Sequence, residues 1–443
     1  MGCLKGSRTF VEFESYERIL KDAQEGELRV KRNVWIINHY AGGMFIEEGG
    51  RHYSIAKYLK RLGYDPVVFC SNAKHSSSGG CFFDDNKLWH EHYAKKIDVP
   101  FVFVKSRSYV GNGIKRIFNM MDFYFNVKKT AKEYAKLNQK PDIIYASSVH
   151  PLTLVAGLMM AKYFGIKCIC EVRDLWPESL VAYGLIRRES IVTKGLYLAE
   201  KLIYQKADRI VMTWPGGYDY IIEKGWESNI PKDKVFHVSN GVDLEDYKNN
   251  RGLSYDNLVF DSVNKKFIYA GSIRKVNNIG LLVEAAKILQ ERNSDCHIVV
   301  FGSGDELDRL EEEAQTVENI VFMGRVEKKL IPSILSKSYA TILHNSSTSL
   351  DRYGQSQNKL FEYLAAKRPI LMTYSVGYSV CKRYGCGIEI QSQTPESIAN
   401  SIISLGSLSD KEYQMYCKNA ECVASLYDFY NLTNQVSSII EAV

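Results

Sequence analysis

The chain has 443 residues, of which 45% are hydrophobic and 24% are charged, close to the average of soluble globular proteins. These values exclude a disordered, collagen-like or coiled-coil chain and provide apolar material for two or three domains. The 57 Lys and Arg residues against 51 Asp and Glu give a net charge of only +6, so we expect no nucleic-acid partner.

The first 30 residues are charged and lack the apolar stretch of a secretory signal, so they are predicted to form an N-terminal extension. No run reaches the roughly 18 apolar residues that a membrane-spanning helix needs. The ten cysteines occur singly, without the spacing of a zinc site or a disulfide framework. Reduced thiols and a cytoplasmic location are the simplest interpretation.

From residue 31 to residue 242, short β-branched runs alternate with amphipathic helical stretches. This alternation predicts an α/β domain with a parallel sheet and helices on both faces. Residues 81–109 are less periodic and predict loops around one extra strand. The predicted strands are Val34–Asn38, Pro66–Cys70, Val99–Val104, Asp142–Ala146, Lys167–Val172 and Arg209–Thr213, and the clearest helices are Arg51–Leu62 and Leu152–Phe164.

A second series of the same kind runs from residue 266 to residue 420. The irregular polar segment 243–265 separates the two series and is the predicted linker. One helix, Ile279–Arg292, places its apolar residues on one face. The predicted strands are Phe267–Ala270, His297–Phe301, Ile320–Met323, Ala340–Leu343, Pro369–Met372 and Gly387–Ile390.

Ligands of open α/β sheets bind beyond the carboxyl ends of the strands, so those positions are the candidate site. After the first strand come Ala41-Gly42-Gly43 and then Gly49-Gly50-Arg51, which opens a helix. The glycines allow either a close approach of backbone to ligand, with positive charge from Arg51, or simply a flexible turn.

Two further strand ends in the first series carry polar residues. His150 precedes Pro151 at a predicted helix start, where it either faces a ligand or caps and packs. The next strand ends in Arg173-Asp174-Leu175-Trp176-Pro177, which combines charge, a carboxylate and an aromatic ring, and Glu171 is expected on the same rim.

In the second series, Gly302-Ser303-Gly304 follows a strand and resembles the start of a dinucleotide fingerprint. However, Leu307 replaces the third glycine and Phe322 stands where an acidic residue would hold a ribose. The segment therefore predicts a phosphate-facing turn at a helix N-terminus rather than an NAD site.

The most specific segment runs from Tyr353 to Ile370. It predicts a polar loop, a helix that begins near Asn358, and a buried strand after Pro369. Glu362 lies one turn into this helix among apolar neighbours, where a solvated surface carboxylate is uncommon. It is placed to accept two hydrogen bonds from a ribose diol.

Taken together, these segments resemble the GT-B fold glycosyltransferases of family 4, which are retaining enzymes that use nucleotide-sugar donors. The resemblance covers nearly the whole chain from about Asn33. The Arg-Asp-Leu-Trp-Pro and Asn-Lys-Leu-Phe-Glu-Tyr versions look like enzymes that build bacterial capsule, O-antigen or exopolysaccharide units. The segments that carry the resemblance are Gly49–Arg51, His150, Arg173–Pro177, Ser239–Asp243, Tyr269–Ser272, Phe301–Gly304 and Asn358–Ala366.

The resemblance implies two Rossmann-like domains that face each other across a cleft. Residues 31–242 would bind the acceptor, completed by a closing helix at about 421–443, and residues 266–420 would bind the donor. The implied catalytic residues are His150, Arg274, Lys275 and Glu362. The implied donor-binding residues are Gly49, Gly50, Gly271, Gly302, Gly304, Asn358, Lys359, Leu360 and Glu362, and the acceptor side would include Arg51, Arg173, Asp174 and Trp176.

The chain departs from the family pattern at two places. Gly354 stands where the paired-glutamate motif has its first glutamate, and the basic residues after the first strand of the donor domain are displaced to Arg274 and Lys275. Two alternatives stay open beside a transferase. One is a non-hydrolysing nucleotide-sugar 2-epimerase, which shares the two-domain fold, and the other is a degenerate nucleotide-sugar-binding partner protein, which Gly354 motivates.

By the same resemblance, a sugar would move with retention from a nucleotide sugar, UDP-linked, to a glycan or polyprenyl-diphosphate-linked acceptor. The cations Arg274 and Lys275 and the helix N-termini would stabilise the departing diphosphate. No Asp-x-Asp lies at a strand end, so we expect no metal and no other cofactor. No protein base is assigned, because the donor phosphate assists removal of the acceptor proton in this family.

The segment Ile114–Phe125 mixes bases with apolar residues at helical spacing. It predicts either a peripheral contact with the inner face of the cell membrane or a core helix with a solvated edge. The bases considered for the membrane contact are Lys115, Arg116, Lys128 and Lys129.

Overall fold

A computed structural model of the protein describes residues 32–75, 79–111 and 113–443. These residues divide into two compact units. The first unit runs to Ser239 and also includes Phe429–Val443, and the second comprises Asn240–Asp428. The N-terminal extension predicted at residues 1–30 lies outside the described residues.

The first unit is built on an eight-stranded sheet in the order β3-β4-β2-β1-β5-β6-β7-β8. All neighbouring strands are parallel except β3, which runs antiparallel to β4 at the edge. The central strands are mostly apolar because helices cover both faces. The strands are β1 (Asn33–Ile37), β2 (Asp65–Ser71), β3 (Trp89–Ala94), β4 (Val99–Val104), β5 (Ile143–Ser147), β6 (Lys167–Val172), β7 (Arg209–Met212) and β8 (Val235–His237).

The described residues of the first unit form eight helices around this sheet. The C-terminal helix α16 packs against α2, where Leu432 and Val436 join the apolar core around Tyr53 and Leu59. The helices are α1 (Ala41–Ile46), α2 (Arg51–Arg61), α3 (Ile114–Leu137), α4 (Pro151–Phe164), α5 (Glu178–Ala182), α6 (Ile191–Lys206), α7 (Gly217–Glu223) and, last in the chain, α16 (Phe429–Glu441).

The second unit has a six-stranded, fully parallel sheet in the order β11-β10-β9-β12-β13-β14. Alternate side chains of β9 enter two separate cores, with Ile268 on one face and Phe267 on the other. The strands are β9 (Lys265–Ala270), β10 (Cys296–Phe301), β11 (Ile320–Phe322), β12 (Ala340–Leu343), β13 (Ile370–Met372) and β14 (Gly387–Glu389).

Helices of the second unit connect its successive strands, precede β9 and follow β14. They are α8 (Leu244–Arg251), α9 (Gly280–Glu291), α10 (Leu307–Glu313), α11 (Ile331–Ser336), α12 (Asn358–Ala365), α13 (Val380–Tyr384), α14 (Pro395–Gly406) and α15 (Asp410–Leu426). Short 3-10 turns occupy Lys232–Lys234 in the first unit and Leu258–Phe260, Lys275–Asn277, Lys328–Leu330 and Ser349–Tyr353 in the second.

Every predicted strand is present, with bounds within two residues of the prediction, and the doubly wound α/β fold is confirmed. Three details differ. The segment predicted as an irregular linker contains α8, which Asp243 caps and whose Tyr247 is buried in the core of the second unit. The closing helix predicted at about 421–443 is two helices, α15 and α16, which belong to different units. Strands β3 and β8 were not predicted.

None of the helices in the described part of the chain is long and apolar enough to span a membrane.

Candidate functional site

In the first unit, two histidines meet where β1 and β5 end. His150 is the N-cap residue of α4, with Pro151 at the first helical position. Its Nε2 lies 2.8 Å from Nδ1 of His39, and Nε2 of His39 lies 2.7 Å from Oδ1 of Asn119. All three side chains are buried. Burial lowers the pKa of His150 to about 3 and that of His39 well below its ordinary value, so both rings are neutral near pH 7.

The sequence prediction included His150 but missed His39 and Asn119. His39 lies two residues after the end of β1, so the rule that singled out the other strand ends was a sufficient signal for it. Asn119 lies inside α3, and nothing in the sequence marks it as a partner of a histidine.

Arg116 contributes a cation to the same region. Its Nε and Nη2 atoms donate hydrogen bonds to the Tyr40 hydroxyl over 3.1 and 3.0 Å. After burial, its charge is the next influence that lowers the pKa of His150. The sequence analysis considered Arg116 for a membrane contact, with a core helix as the alternative, and in the structure its guanidinium is directed at Tyr40.

Arg51 is a buried ion-pair partner rather than a charge that faces a ligand. Its Nη2 lies 2.6 Å from Oε1 of Glu171, with side chains 1% and 0% exposed. The guanidinium also donates to the carbonyl oxygens of Val238 and Ser239. Arg51 therefore ties β6 to the segment after β8, which differs from the acceptor-side role that the sequence predicted.

Glu171 is likewise buried in the core of the first unit and does not lie exposed at the carboxyl edge of the sheet, where the sequence predicted it. Besides Arg51, it accepts hydrogen bonds from the Tyr145 hydroxyl over 2.5 Å and the Ser147 hydroxyl over 2.6 Å, and His52 Nε2 lies 3.1 Å away. Burial by itself would raise the pKa of Glu171, but the charge of Arg51 and the hydrogen bonds with His52 and Arg51 hold it well below its ordinary value.

The glycines before α2 have conformational and packing roles. Gly50 is the N-cap residue of α2, and its φ of +99° favours glycine. Ala41, Gly42 and Gly43 begin helix α1 instead of forming the predicted turn. A Cβ on Gly42 would come within 2.8 Å of the Phe82 ring, whereas Gly49 has open space on its Cβ side apart from one carbonyl at 3.7 Å.

The segment after β6 has three accessible side chains, while its backbone is anchored by hydrogen bonds. The Arg173 N–H donates to the Ser148 hydroxyl over 3.2 Å, and the Trp214 indole N–H donates to the Arg173 carbonyl over 2.7 Å. Asp174 is exposed, and Arg173 and Trp176 are partly exposed. These three residues are the predicted acceptor-side residues whose side chains remain available to a ligand.

In the second unit, the predicted donor residues converge at the carboxyl ends of β9 and β10 and at the start of α12. The amino group of Lys359 donates to the Tyr269 hydroxyl over 2.8 Å, and that hydroxyl donates to the Ser272 carbonyl over 2.8 Å. A Cβ on Gly271 would overlap the Lys359 amino group. Burial lowers the pKa of Lys359 to about 8.

The glycines after β10 are required by backbone packing. A Cβ on Gly302 would overlap the carbonyl of Gly271, and one on Gly304 would overlap that of Ile273. Backbone hydrogen bonds from Gly271 to Phe301 and from Ile273 to Ser303 hold the two loops side by side. Helix α10 begins only at Leu307, so the helix N-terminus predicted at Gly304 is displaced by three residues.

Helix α12 begins at Asn358, as predicted. No side chain caps this terminus, and Asn358 is fixed by a short hydrogen bond from the Asn240 amide. The Leu360 N–H is used within the chain, by the Gln357 carbonyl over 3.2 Å, and its side chain is in the core. Glu362 is partly exposed on the next turn, where its charge raises the pKa of Lys359 against the effect of burial.

The basic residues Arg274 and Lys275 are exposed at the start of a 3-10 turn after β9. Gly354, at the position of the missing glutamate, has a φ of +91° and is buried. Within the described ranges, no group of three or more His, Cys, Asp or Glu residues is arranged to hold a metal ion.

Family models match both parts of the chain. Residues 52–246 match the model described as Glycosyltransferase Family 4, and residues 264–407 match that described as Glycosyl transferases group 1. With the two α/β units, these matches give the chain the domain organisation of a GT-B glycosyltransferase.

A Pseudomonas aeruginosa protein described as the probable glycosyltransferase WbjE is 23% identical over 206 residues, which are 46% of this chain and 48% of that protein. The match thus spans about half of that relative. Among solved structures, a glycosyltransferase from Rickettsia africae is 17% identical with a TM-score of 0.61, and covers 93% of this chain and 97% of its own.

Two other solved structures share the fold at 93% coverage of this chain. Anabaena HepE in complex with UDP-glucose is 14% identical, covered in full, with a TM-score of 0.62. A Listeria monocytogenes protein described as a UDP-N-acetylglucosamine 2-epimerase is 12% identical, covered over 96%, with a TM-score of 0.59. At these identities the likeness shows the fold alone.

Proposed function

We propose that the protein transfers a sugar from a nucleotide-sugar donor, UDP-linked, to a glycan or polyprenyl-diphosphate-linked acceptor, with retention of configuration. The observation that carries the proposal is the position of Lys359. The amino group of this half-buried side chain lies against Gly271 at the carboxyl end of β9, and Glu362 follows one turn later on the same helix.

This arrangement suits a nucleoside diphosphate. A cation and a loop without side-chain bulk favour close approach of phosphate oxygens, and the uncapped N-terminus of α12 adds partial positive charge. Glu362 supplies carboxylate oxygens that accept hydrogen bonds from a ribose diol. The exposed side chains of Arg274 and Lys275 add charge on the same loop as Gly271.

In the proposed reaction, the bond between the anomeric carbon and the diphosphate breaks while the acceptor oxygen bonds to that carbon on the same face. The departing diphosphate gains negative charge, which Lys359, Arg274 and Lys275 stabilise electrostatically. The acceptor proton passes to the leaving phosphate oxygen, so no protein base and no metal ion takes part. The surface polysaccharides of bacteria are the proposed products, made at the cytoplasmic side of the membrane.

Support for a UDP-linked donor comes from the shared fold of Anabaena HepE, whose structure contains UDP-glucose. The experiment is a calorimetric titration of the full-length protein with UDP, GDP, ADP and dTDP. We expect UDP to bind most tightly and Glu362→Ala to weaken that binding at least tenfold. Glu284→Ala, on the exposed face of α9, is the matched control. Equal affinity of the wild type and Glu362→Ala for UDP would contradict the assignment of Glu362.

Product analysis separates the three functions. A transferase converts donor only when acceptor is present, and a 2-epimerase converts UDP-N-acetylglucosamine without one. Tight UDP binding with neither conversion would identify a binding partner protein.

A lipid-linked acceptor requires contact with a membrane, and we place this contact on α3 and α6. Helix α3 exposes a stripe of apolar side chains at spacings of three, four and seven residues, which are Ile114, Ile117, Phe118, Met121 and Phe125. Helix α6 exposes Ile191, Val192, Leu198 and Leu202. Helix α4 packs against both α3 and α6, so the two apolar stripes flank a shared neighbour.

The surface is also basic. Lys115 and Lys129 are exposed on α3, and Lys128 lies over the Tyr124 ring at 3.6 Å. Such a mixture of bases and exposed apolar side chains fits an anionic lipid surface. Arg116 is not counted among these bases, because its guanidinium is directed at the Tyr40 hydroxyl.

Binding to vesicles tests this contact. We expect the protein to sediment with phosphatidylglycerol vesicles and not with phosphatidylcholine vesicles, and Lys115→Glu/Lys129→Glu or Phe118→Ser/Phe125→Ser to abolish the binding. Lys411→Glu/Lys418→Glu, on exposed positions of α15, controls for net charge. Unchanged binding by both α3 variants would exclude this surface.

A further inference from the structure

The side chain of Arg116 is directed from helix α3 to the carboxyl edge of the first sheet. Helix α3 follows β4 in the chain, so its first turns lie at this edge, where ligands of parallel α/β sheets bind. Arg116 precedes Asn119 and Phe123, which are both buried, by three and seven positions. Residues at these spacings share one face of a helix, so the guanidinium stands at the start of the face that packs on the fold.

The Tyr40 hydroxyl holds the guanidinium in place. It accepts hydrogen bonds from Nε and Nη2 of Arg116 over 3.1 and 3.0 Å, and the Tyr40 backbone N–H donates to Oδ1 of Asn38 over 3.0 Å. The Tyr109 hydroxyl is hydrogen-bonded to Tyr40 and lies 2.6 Å from Nδ1 of His75. Tyrosine hydroxyls are uncharged near pH 7, so these two hydroxyls fix the cation without neutralising it.

The charge of Arg116 acts on the pocket around His150. Burial and then this charge lower the pKa of His150 to about 3. The carboxylate of Asp174, on the segment after β6, interacts electrostatically with Arg173 beside it more strongly than with Arg116. Asp174 is therefore balanced mainly by Arg173, and Arg116 adds positive potential to a pocket at the ligand-binding edge of the sheet.

The outer face of the same turns of α3 is apolar. Ile117, Phe118 and Met121 are exposed, although they lie within about one turn of Arg116 in the helix. A cation that is directed inward beside an exposed apolar stripe matches an amphiphile with an anionic headgroup. A diphosphate joined to an aliphatic chain has both parts, whereas a free glycan has neither.

We propose that Arg116 binds the diphosphate of a polyprenyl-diphosphate-linked acceptor, whose chain lies along Ile117, Phe118 and Met121 and whose sugar points toward His150. The inference rests on the proposed sugar transfer, and it narrows the acceptor of that reaction to a lipid-linked one. A guanidinium suits this role because its planar N–H groups donate to two phosphate oxygens at once.

Binding of farnesyl diphosphate, a short polyprenyl diphosphate without a sugar, tests the site separately from any transfer. In calorimetry with the full-length protein, we expect it to bind more tightly than farnesol or inorganic pyrophosphate. Arg116→Gln should weaken this binding about tenfold or more, and Arg116→Lys, which keeps the charge, should recover part of it. Equal affinity of the wild type and Arg116→Gln, or farnesol binding as tight as that of farnesyl diphosphate, would overturn the proposal.

The matched control is Lys136→Gln, which removes a charge from an exposed position in the last turn of the same helix, about 30 Å away. We expect it to bind farnesyl diphosphate like the wild type. Phe118→Ser should weaken the binding of farnesyl diphosphate and leave that of pyrophosphate unchanged. An equal loss of farnesyl diphosphate binding in Lys136→Gln and Arg116→Gln would show a general effect of net charge and overturn the assignment.

Two further measurements separate this site from the donor site and from the membrane surface. Arg116→Gln should bind UDP with the affinity of the wild type, and it should sediment with phosphatidylglycerol vesicles as the wild type does. A parallel loss of UDP affinity would place the donor diphosphate at Arg116. A loss of sedimentation would make Arg116 one of the bases that contact the membrane, and either result would overturn the proposal.

The last test uses turnover, with the acceptor sugar that product analysis identifies. The sugar is supplied either on farnesyl diphosphate or as an octyl glycoside, which has a chain but no phosphate. Arg116→Gln should lower kcat/KM about tenfold or more for the diphosphate, chiefly through KM, and less than about twofold for the glycoside. An equal loss with both acceptors would overturn the proposal. If neither acceptor is converted while farnesyl diphosphate binding still depends on Arg116, the proposed sugar transfer is contradicted and the lipid diphosphate site stands.

Discussion

Arg51 and Glu171 form an ion pair that is almost completely withdrawn from solvent, with 2.6 Å between Nη2 and Oε1. Arg51 opens helix α2, whereas Glu171 lies in the middle of the first sheet on β6. The pair connects a helix start to a central strand, and three further side chains donate to or contact the same carboxylate. The pair therefore stabilises the first unit, and the charge of Arg51 is neutralised by Glu171 rather than presented to a ligand.

Removal of one partner from this pair should strongly destabilise the first unit. Arg51→Met leaves a buried carboxylate without its cation, which costs about 3–5 kcal/mol. Because all five tryptophans lie in the first unit, urea denaturation followed by tryptophan fluorescence reports this unit alone. Lys167 lies on the same strand as Glu171, and Lys167→Ala, which removes its exposed ion pair with Asp208, should change stability by less than about 1 kcal/mol. The double variant Arg51→Met/Glu171→Leu should recover much of the loss, and equal effects of Arg51→Met and Lys167→Ala would contradict this account.

The first unit should lose stability between pH 7 and pH 5. Burial lowers the pKa of His52 to about 4 and of His150 to about 3, and that of His39 well below its ordinary value. In the unfolded chain these rings titrate near pH 6.5, so below that pH the unfolded state binds more protons and folding becomes less favourable. Each ring contributes up to about 1.4 kcal/mol per pH unit until its folded pKa is reached.

The measurement is the free energy of unfolding from tryptophan fluorescence at several pH values. His52→Gln and His150→Gln should each reduce the slope by up to one proton, whereas His237→Gln, at an exposed position of β8, is the control. The depressed pKa of Glu171 acts in the same direction at lower pH, because its stabilisation is lost as the carboxylate is protonated. A stability that is flat from pH 7 to pH 5 would show that the histidines titrate freely.

The fold was predictable because both sheets are parallel and covered on both faces. Strands such as β5 and β10 are therefore continuous apolar runs that stand out from the amphipathic helices. Strand β3 was missed because it is an antiparallel edge strand with mostly half-exposed polar residues, from Trp89 to Ala94. Strand β8 has only three residues, which is too short for a periodic pattern.

The candidate site was predictable only in part. Position after a strand indicated His150, Arg173 and Gly271, because topology alone carries those side chains to one sheet edge. The direction of a side chain is decided by packing across the fold, so the sequence did not show that Arg51 is buried against Glu171 or that Arg116 is directed at Tyr40. Both are arginines near a helix start, and local sequence does not reveal which neighbour will neutralise or surround them.

Restoring the missing glutamate of the paired motif should harm the protein. Gly354 has φ +91° and ψ −156°, a region that is essentially restricted to glycine. Gly354→Glu and Gly354→Ala should each destabilise the loop by about 1–3 kcal/mol without a gain in turnover. Gly280→Ala, at the start of α9, meets its nearest neighbour at an ordinary 3.6 Å and is the control. Hydrogen–deuterium exchange over residues 349–372 measures the effect, and a stable, more active Gly354→Glu would show that the loop accommodates the motif.

Binding of UDP should take up protons at Lys359. Burial lowers the pKa of its amino group to about 8, and a diphosphate placed beside it would raise that pKa. At pH 8 the free amine is half protonated, so binding should consume about half a proton, while near pH 6.5 uptake at this amine should be close to zero. Affinity should accordingly decrease as the pH rises above 8.

Calorimetry in two buffers of different ionisation enthalpy measures the uptake directly. Lys359→Met should abolish it and weaken binding at least tenfold, whereas Arg274→Ala should weaken binding at low ionic strength and leave the uptake intact, because Arg274 is exposed. Proton uptake of the same size in Lys359→Met would place the diphosphate elsewhere.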